Sequence, residues 1–211
     1  MSQLKNIKKE TEGRESPSFI YRFARFLVYN FFRLFWRIEF VEQDKIPLKG
    51  PLIIAANHRS YADPPVLGLM APREVHFLAK QELFLFSPIG WLLSNLNAHP
   101  INRASGGTAI KEMQNLLEKD AVIIVFPEGT RIKTGGFGKA KPGVGLLAIT
   151  TKTTVIPVYI HNSNRLFSFQ KLTAVVGEAI NPQGYNDYQA LADRVVTDIQ
   201  ELRNKFLRTT N

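Results

Sequence analysis

From residue 50 onward the chain alternates short apolar runs with stretches of helical periodicity. Residues 51–56 (PLIIAA), 75–79 (VHFLA), 121–126 (AVIIVF) and 154–160 (TVIPVYI) read as strands. Runs this short and this apolar suit strands covered on both faces. Residues 64–70, 83–96, 108–117 and 143–150 read as helices, and residues 172–180 as a late strand. Residues 187–207 form a closing helix, with Leu191, Val195, Ile199, Leu202 and Phe206 recurring at three- and four-residue intervals. The alternation predicts an α/β fold, in one domain with a central mixed, mostly parallel sheet flanked by helices. In such a sheet chemistry gathers in the loops beyond the strand ends.

Ahead of this lies a different pattern. Residues 18–40 (SFIYRFARFLVYNFFRLFWRIEF) hold ten aromatic side chains, and their arginines recur at helical spacing. On a helical projection Arg22, Arg25, Arg33 and Arg37 share a sector of about 120°, while Ile20, Leu27, Phe31, Phe35 and Ile38 lie opposite. Tyr29 and Trp36 fall near the cationic sector, where a ring sits at lipid-headgroup level beside a snorkelling arginine. The excess of Phe and Arg favours a membrane surface over a face packed on the helix's own domain. The expected organisation is a polar lead-in at 1–17, an amphipathic membrane-surface helix at 18–40 and a folded domain at 41–211. The lead-in is charged and lacks an apolar core, so it does not read as a signal peptide. Residues 83–102 carry no charge but include Pro88, Gly90, Asn95, Asn97 and Pro100, which argues against a spanning helix.

Charge and composition narrow the chemistry. A formal charge of +9 over 211 residues favours polyanionic company: nucleic acid, an anionic membrane or phosphorylated small molecules. No cysteine is present, which removes disulfides, thiolate catalysis and the common zinc sites. No helix-turn-helix, zinc or RNP pattern accompanies the charge, so nucleic acid is the weakest of the three partners.

Two loops carry candidate chemistry. The first, residues 57–64, follows a strand and contains His58 and Asp63. Fully extended, the five-residue separation is about 17 Å, so a working pair requires the loop to turn back. Asp63 before Pro64 supplies a helix start, with Asp63 at the N-cap and its carboxylate facing the loop. A histidine held by a carboxylate through one ring nitrogen presents the other as a general base. The second loop opens with Pro127, Glu128, Gly129, Thr130 and Arg131, followed by Lys133, Lys139 and Lys141 among Gly135, Gly136 and Gly138. Glycines let backbone N–H groups approach an anion, and Arg131 can bind phosphate through two parallel bonds. A solvated basic turn is the alternative reading.

Together the two loops resemble the glycerophospholipid acyltransferase family, which includes 1-acylglycerol-3-phosphate acyltransferases of bacterial type. Asn57-His58 through Asp63 resembles the family's first block, His, four residues, Asp. Residues 126–131 (FPEGTR) match the third, residues 100–103 (PINR) look like the second, and residues 155–158 (VIPV) look like the fourth. The second is the loosest match, since the family often has glycine where Asn97 or Ala98 stands. The resemblance implies transfer of a fatty acyl group from a thioester to the sn-2 hydroxyl of 1-acyl-sn-glycerol-3-phosphate, giving phosphatidic acid. It implies His58 as base and Asp63 as its orienter. Arg103, Gly129, Thr130 and Arg131 would meet the acceptor phosphate, with Glu128 accepting from an acceptor hydroxyl or holding Arg131. Lys80 sits where relatives carry a lysine near the histidine, and a solvent-facing strand end is its other reading. No metal or bound cofactor is implied; acyl carrier protein or coenzyme A thioester serves as co-substrate, and the partners are lysophosphatidic acid and an anionic lipid surface at the cytoplasmic face. With no cysteine and no Gly-x-Ser-x-Gly elbow, the acceptor attacks the thioester directly. Another lysophospholipid or amino-lipid acceptor, or a thioesterase using the same pair, remains compatible with the residues.

Overall fold

The computed structural model describes residues 19–85, 87–101, 106–132 and 136–210. The lead-in at 1–17, Arg103, Lys133 and Gly135 lie outside the described residues.

Seven strands form one sheet: β1 (Glu39–Val41), β2 (Leu52–Ala56), β3 (Val75–Lys80), β4 (Ala98–Ile101), β5 (Val122–Val125), β6 (Val155–His161) and β7 (Thr173–Val176), in the spatial order β1-β7-β6-β2-β5-β3-β4. Every neighbouring pair is parallel except β6 and β7. The helices are α1 (Phe19–Trp36), α2 (Asp63–Met70), α3 (Ser87–Asn95), α4 (Gly106–Leu117), α5 (Gly143–Thr151) and α6 (Tyr188–Thr210). The central strands are continuously apolar because both sheet faces are covered, and β2 is buried at all five positions. On one face Ile54 and Ile156 pack with α1 and α2 through Phe32, Trp36, Val66 and Leu67. On the other, Ile53 and Val155 pack with α4, α5 and α6 through Met113, Leu147, Leu191 and Val195. Asp187 Oδ1 starts α6 by accepting from the backbone N–H groups of Gln189 and Ala190.

Three expectations are corrected. The helix predicted over 18–40 ends at Trp36; Arg37 adopts φ 47°, and the chain then enters the sheet as β1, in register with β7. The helix predicted over 83–96 divides into a 3₁₀ turn at Gln81–Phe84 and α3. Beyond it β4, not anticipated, pairs with β3 at the sheet edge, where Pro100 costs no interior ladder bond.

The aromatic helix also differs from its projection. Tyr21, Phe32 and Trp36 are buried, the Tyr21 hydroxyl accepts from Val75 N, and Arg25 Nη2 donates to Leu69 O at 2.9 Å. Trp36 is therefore not at headgroup level: its Nε1–H donates to Leu166 O at 2.7 Å within the core. The helix has two apolar sides. Phe19, Phe23, Phe26, Leu27, Phe31 and Leu34 remain exposed on the side turned away from the domain.

Candidate active site

The site lies where two neighbouring parallel strands send their chains to opposite faces of the sheet. After β2 the chain runs to α2 on one face; after β5 it runs to α5 on the other. The divergence opens a crevice at the carboxyl edge, the usual ligand position in such sheets.

Asn57, the first residue after β2, is buried and bridges to β6: its Nδ2 donates to Ile160 O and its Oδ1 accepts from Ile160 N at 2.7 Å. This side chain pins the strand end from which His58 projects. Asp63 is fully buried, and one oxygen, Oδ2, receives His58 Nδ1 at 2.9 Å and the backbone N–H groups of Arg59 and Ser60 at 2.7 Å each. The loop therefore does turn back. The mechanism of the turn differs from that anticipated: Ala62 occupies the N-cap, Asp63 is the first helical residue, and its carboxylate caps the loop instead of the helix. A carboxylate acceptor at Nδ1 fixes that nitrogen as the N–H and leaves Nε2 with its lone pair. The opposite constraint is Phe126, whose ring stacks on the imidazole at 3.9 Å and 17°.

Glu128 is 4% exposed and faces the loop backbone. Its Oε1 accepts from His58 N at 3.4 Å and its Oε2 from Gly138 N at 2.7 Å, while Ile132 N donates to His58 O at 2.8 Å. The two loops are thereby laced together, and Glu128 does not pair with Arg131. Arg131 lies instead over the Tyr61 ring, 3.6 Å from its centroid, and Nη2 donates to the Tyr61 hydroxyl. Gly129 holds φ 67°, and Lys141 crosses close above it. Lys80 ends β3 at the same sheet edge, exposed and without a hydrogen bond or ion pair among the described residues. Asn57, Phe126 and Tyr61 were not singled out as contributors. All three sit inside the matched blocks, Tyr61 at one of the four unspecified positions between His58 and Asp63, and that is the only signal that marked them.

The crevice, its imidazole–carboxylate pair and the basic loop beside it define an acyltransferase architecture. The family model described as "Acyltransferase" matches residues 37–161, and the chain belongs to that family. Among curated relatives it is similar to the 1-acyl-sn-glycerol-3-phosphate acyltransferase of Bacillus subtilis (strain 168), 26% identical over 180 residues, covering 80% of this chain and 89% of that protein. The enzyme of the same name from Streptococcus pneumoniae (strain ATCC BAA-255 / R6) is 30% identical, covering 96% of this chain and 79% of its own. The crystal structure of the 1-acyl-sn-glycerophosphate (LPA) acyltransferase PlsC from Thermotoga maritima superposes with a TM-score of 0.71 at 25% identity, over 88% of this chain and 77% of that one.

Proposed function

We propose that this chain transfers a fatty acyl group from an acyl thioester to the sn-2 hydroxyl of 1-acyl-sn-glycerol-3-phosphate, producing phosphatidic acid. The observation that carries the reading is the 2.9 Å contact of His58 Nδ1 with buried Asp63, which leaves Nε2 facing away from the carboxylate as the base. Support for the acceptor comes from the named relatives and from Arg131 at the mouth of the same crevice.

The acceptor oxygen attacks the thioester carbonyl carbon as Nε2 takes its proton. The tetrahedral oxyanion then collapses, the C–S bond breaks, and the departing sulfur takes the proton back from the imidazolium. Asp63 keeps the imidazole in the required tautomer and stabilises its protonated form. Arg131 binds the acceptor phosphate with Gly129 and Thr130, and with Arg103. Glu128 keeps the two loops in register. Lys80, at the same edge, supplies positive charge for the oxyanion. The donor is carried by acyl carrier protein or coenzyme A. The site works at the cytoplasmic membrane surface, reached through the exposed apolar side of α1; no helix among the described residues is long and apolar enough to cross a membrane.

The test supplies the purified protein, in vesicles containing lysophosphatidic acid, with acyl carrier protein and coenzyme A thioesters in turn, and reads products by mass spectrometry. Phosphatidic acid is expected, with a loss of about 10²- to 10⁴-fold for His58→Ala. Free fatty acid as the sole product, or undiminished transfer by a folded His58→Ala protein, refutes the reading.

A further inference from the structure

β6 runs parallel to β2, so the chain leaves it at His161 on the same sheet edge as His58. There it passes through a 3₁₀ segment, Ser163–Ser168, before returning as β7. The end of α1 reaches that edge too. β7 is antiparallel to β6 and aligns Thr173 with His161, and β1 aligns Glu39 with Thr173, so Trp36, just ahead of β1, stands at the crevice edge. The connection is fastened to the helix there. Leu172 N donates to Trp36 O at 3.0 Å, and Trp36 Nε1 donates to Leu166 O. The Phe169 ring stacks on the Trp36 ring, with 5.7 Å between centroids and 20° between planes, and lies 6.2 Å from the Phe35 ring. Phe169 makes these contacts from φ 49°, a left-handed conformation that costs a bulky L residue about 1–2 kcal/mol. Its side chain is still 55% exposed, and Phe167 is 100% exposed. Phe167 therefore adds nothing to the core.

The exposed apolar side of α1 ends beside these rings. Phe31 and Phe35, both exposed, lie 5.1 Å apart, so that side continues from Phe35 to Phe169. Cations border it: Arg33 and Arg37 at the end of α1 and Arg165 in the 3₁₀ segment are exposed, and Lys171 pairs with Glu39 at 2.8 Å. The surface is convex at Phe167, since a fully exposed ring has no walls around it, whereas ligand sites are concave. Protruding rings among cationic side chains match the boundary between anionic headgroups and acyl chains, where the rings sink and the guanidiniums meet phosphates.

We propose that residues 163–169 form a second lipid-inserting element, which seats Phe167 and Phe169 in the surface of an anionic bilayer beside the crevice. This rests on the lipid-surface part of the acyl-transfer reading and adds to it a point of contact and an orientation. Contact through α1 alone leaves the domain free to roll about the helix. A second contact at the carboxyl edge of the sheet fixes which edge faces the leaflet. The crevice mouth is then held against the lipid, and an acceptor presents its hydroxyl to His58 while its acyl chain stays among lipid tails.

The chain has no cysteine, so Phe167→Cys supplies a single thiol for an environment-sensitive dye, with Gln183→Cys as the reference. Gln183 is exposed and follows the bridge of Ile180 to Val155, at the opposite edge of the sheet. On vesicles of phosphatidylcholine and phosphatidylglycerol, the dye at 167 should shift to the blue and be quenched by lipids brominated in the acyl chain. The dye at 183 should do neither. Phe167→Ser should weaken partitioning onto these vesicles about threefold to tenfold, and Phe167→Trp should restore it. Transfer by Phe167→Ser should fall with acceptor embedded in vesicles and stay within about twofold of wild type with a short-chain acceptor dissolved as monomer. Because position 167 is fully exposed, neither replacement puts folding at risk. Vesicle binding with an unshifted dye at 167 overturns the proposal while leaving α1 as the contact, and absence of vesicle binding overturns both. A shift at 167 that grows with protein concentration in the absence of vesicles assigns the rings to a second copy of the chain and overturns it as well. Insertion is read without substrate and is expected unchanged in the His58→Ala protein, so a failure of the catalytic reading leaves this one standing.

Discussion

Asp63 Oδ2 accepts from a ring nitrogen and two consecutive backbone N–H groups, so the loop geometry and the imidazole orientation share one atom. That sharing is why a five-residue segment, long enough to separate the two side chains widely, keeps them 2.9 Å apart. Gly129 holds the second loop in a comparable way. At φ 67° an L side chain is strained, and an added Cβ would lie 2.7 Å from Lys141 Cδ. Gly129→Ala is therefore expected to lower stability by about 1–2 kcal/mol, from the left-handed conformation alone. A shift in the urea midpoint with an unchanged m value checks this; no shift would mean that the loop relaxes without cost. Neither constraint is written in local pattern, although both residues lie within motifs that the chain displays openly.

At the scale of elements, β3, β4 and α4 are tied by His76, His99 and Glu112. His76 Nδ1 lies 3.0 Å from His99 Nε2, and His99 Nδ1 lies 3.2 Å from the Glu112 carboxylate. Burial, reinforced by His99, lowers His76 from 6.5 to about 4. The folded protein thus refuses a proton that the unfolded chain accepts, so stability is complete above pH 6.5 and declines progressively toward pH 4. His76→Gln should flatten this decline. Denaturation midpoints at pH 7.5 and 5 measure it, and an identical difference in wild type and variant would remove His76 as the cause. The edge strands here show the limit of reading elements from periodicity. β4 is four residues containing His99 and Pro100, and β1 is only three, so each is a strand because a neighbour's ladder makes it one. β2 and β5, apolar throughout, and β6, buried up to its terminal His161, were visible in the sequence because burial on both faces leaves little room for polar positions.

For the molecule as a whole, the net charge of +9 and the exposed apolar side of α1 act together on a lipid surface. The electrostatic part is screened by salt, and the apolar part is not. Replacing Phe19, Phe23, Phe26 and Leu34 by serine should reduce partitioning onto anionic vesicles about tenfold or more, while raising salt weakens wild type only partly. Vesicle sedimentation at two salt concentrations reads both effects; unchanged partitioning of the serine variant would exclude this side of α1 as the contact.

The central strands and the helices between them, the mostly parallel sheet and the two motif loops followed from the sequence alone, since periodicity, turn formers and short-range spacing are properties of neighbouring residues. The pairing of His58 with Asp63 required only that one short loop close. Which side of α1 is covered, where Glu128 points and that Arg59 and Arg203 approach one ring, Phe137, were decided by the tertiary structure. Residues 144 positions apart become neighbours only when β2, β6 and α6 have packed together. An apolar stripe records that something will cover it; the covering surface is chosen by the packing of the whole chain.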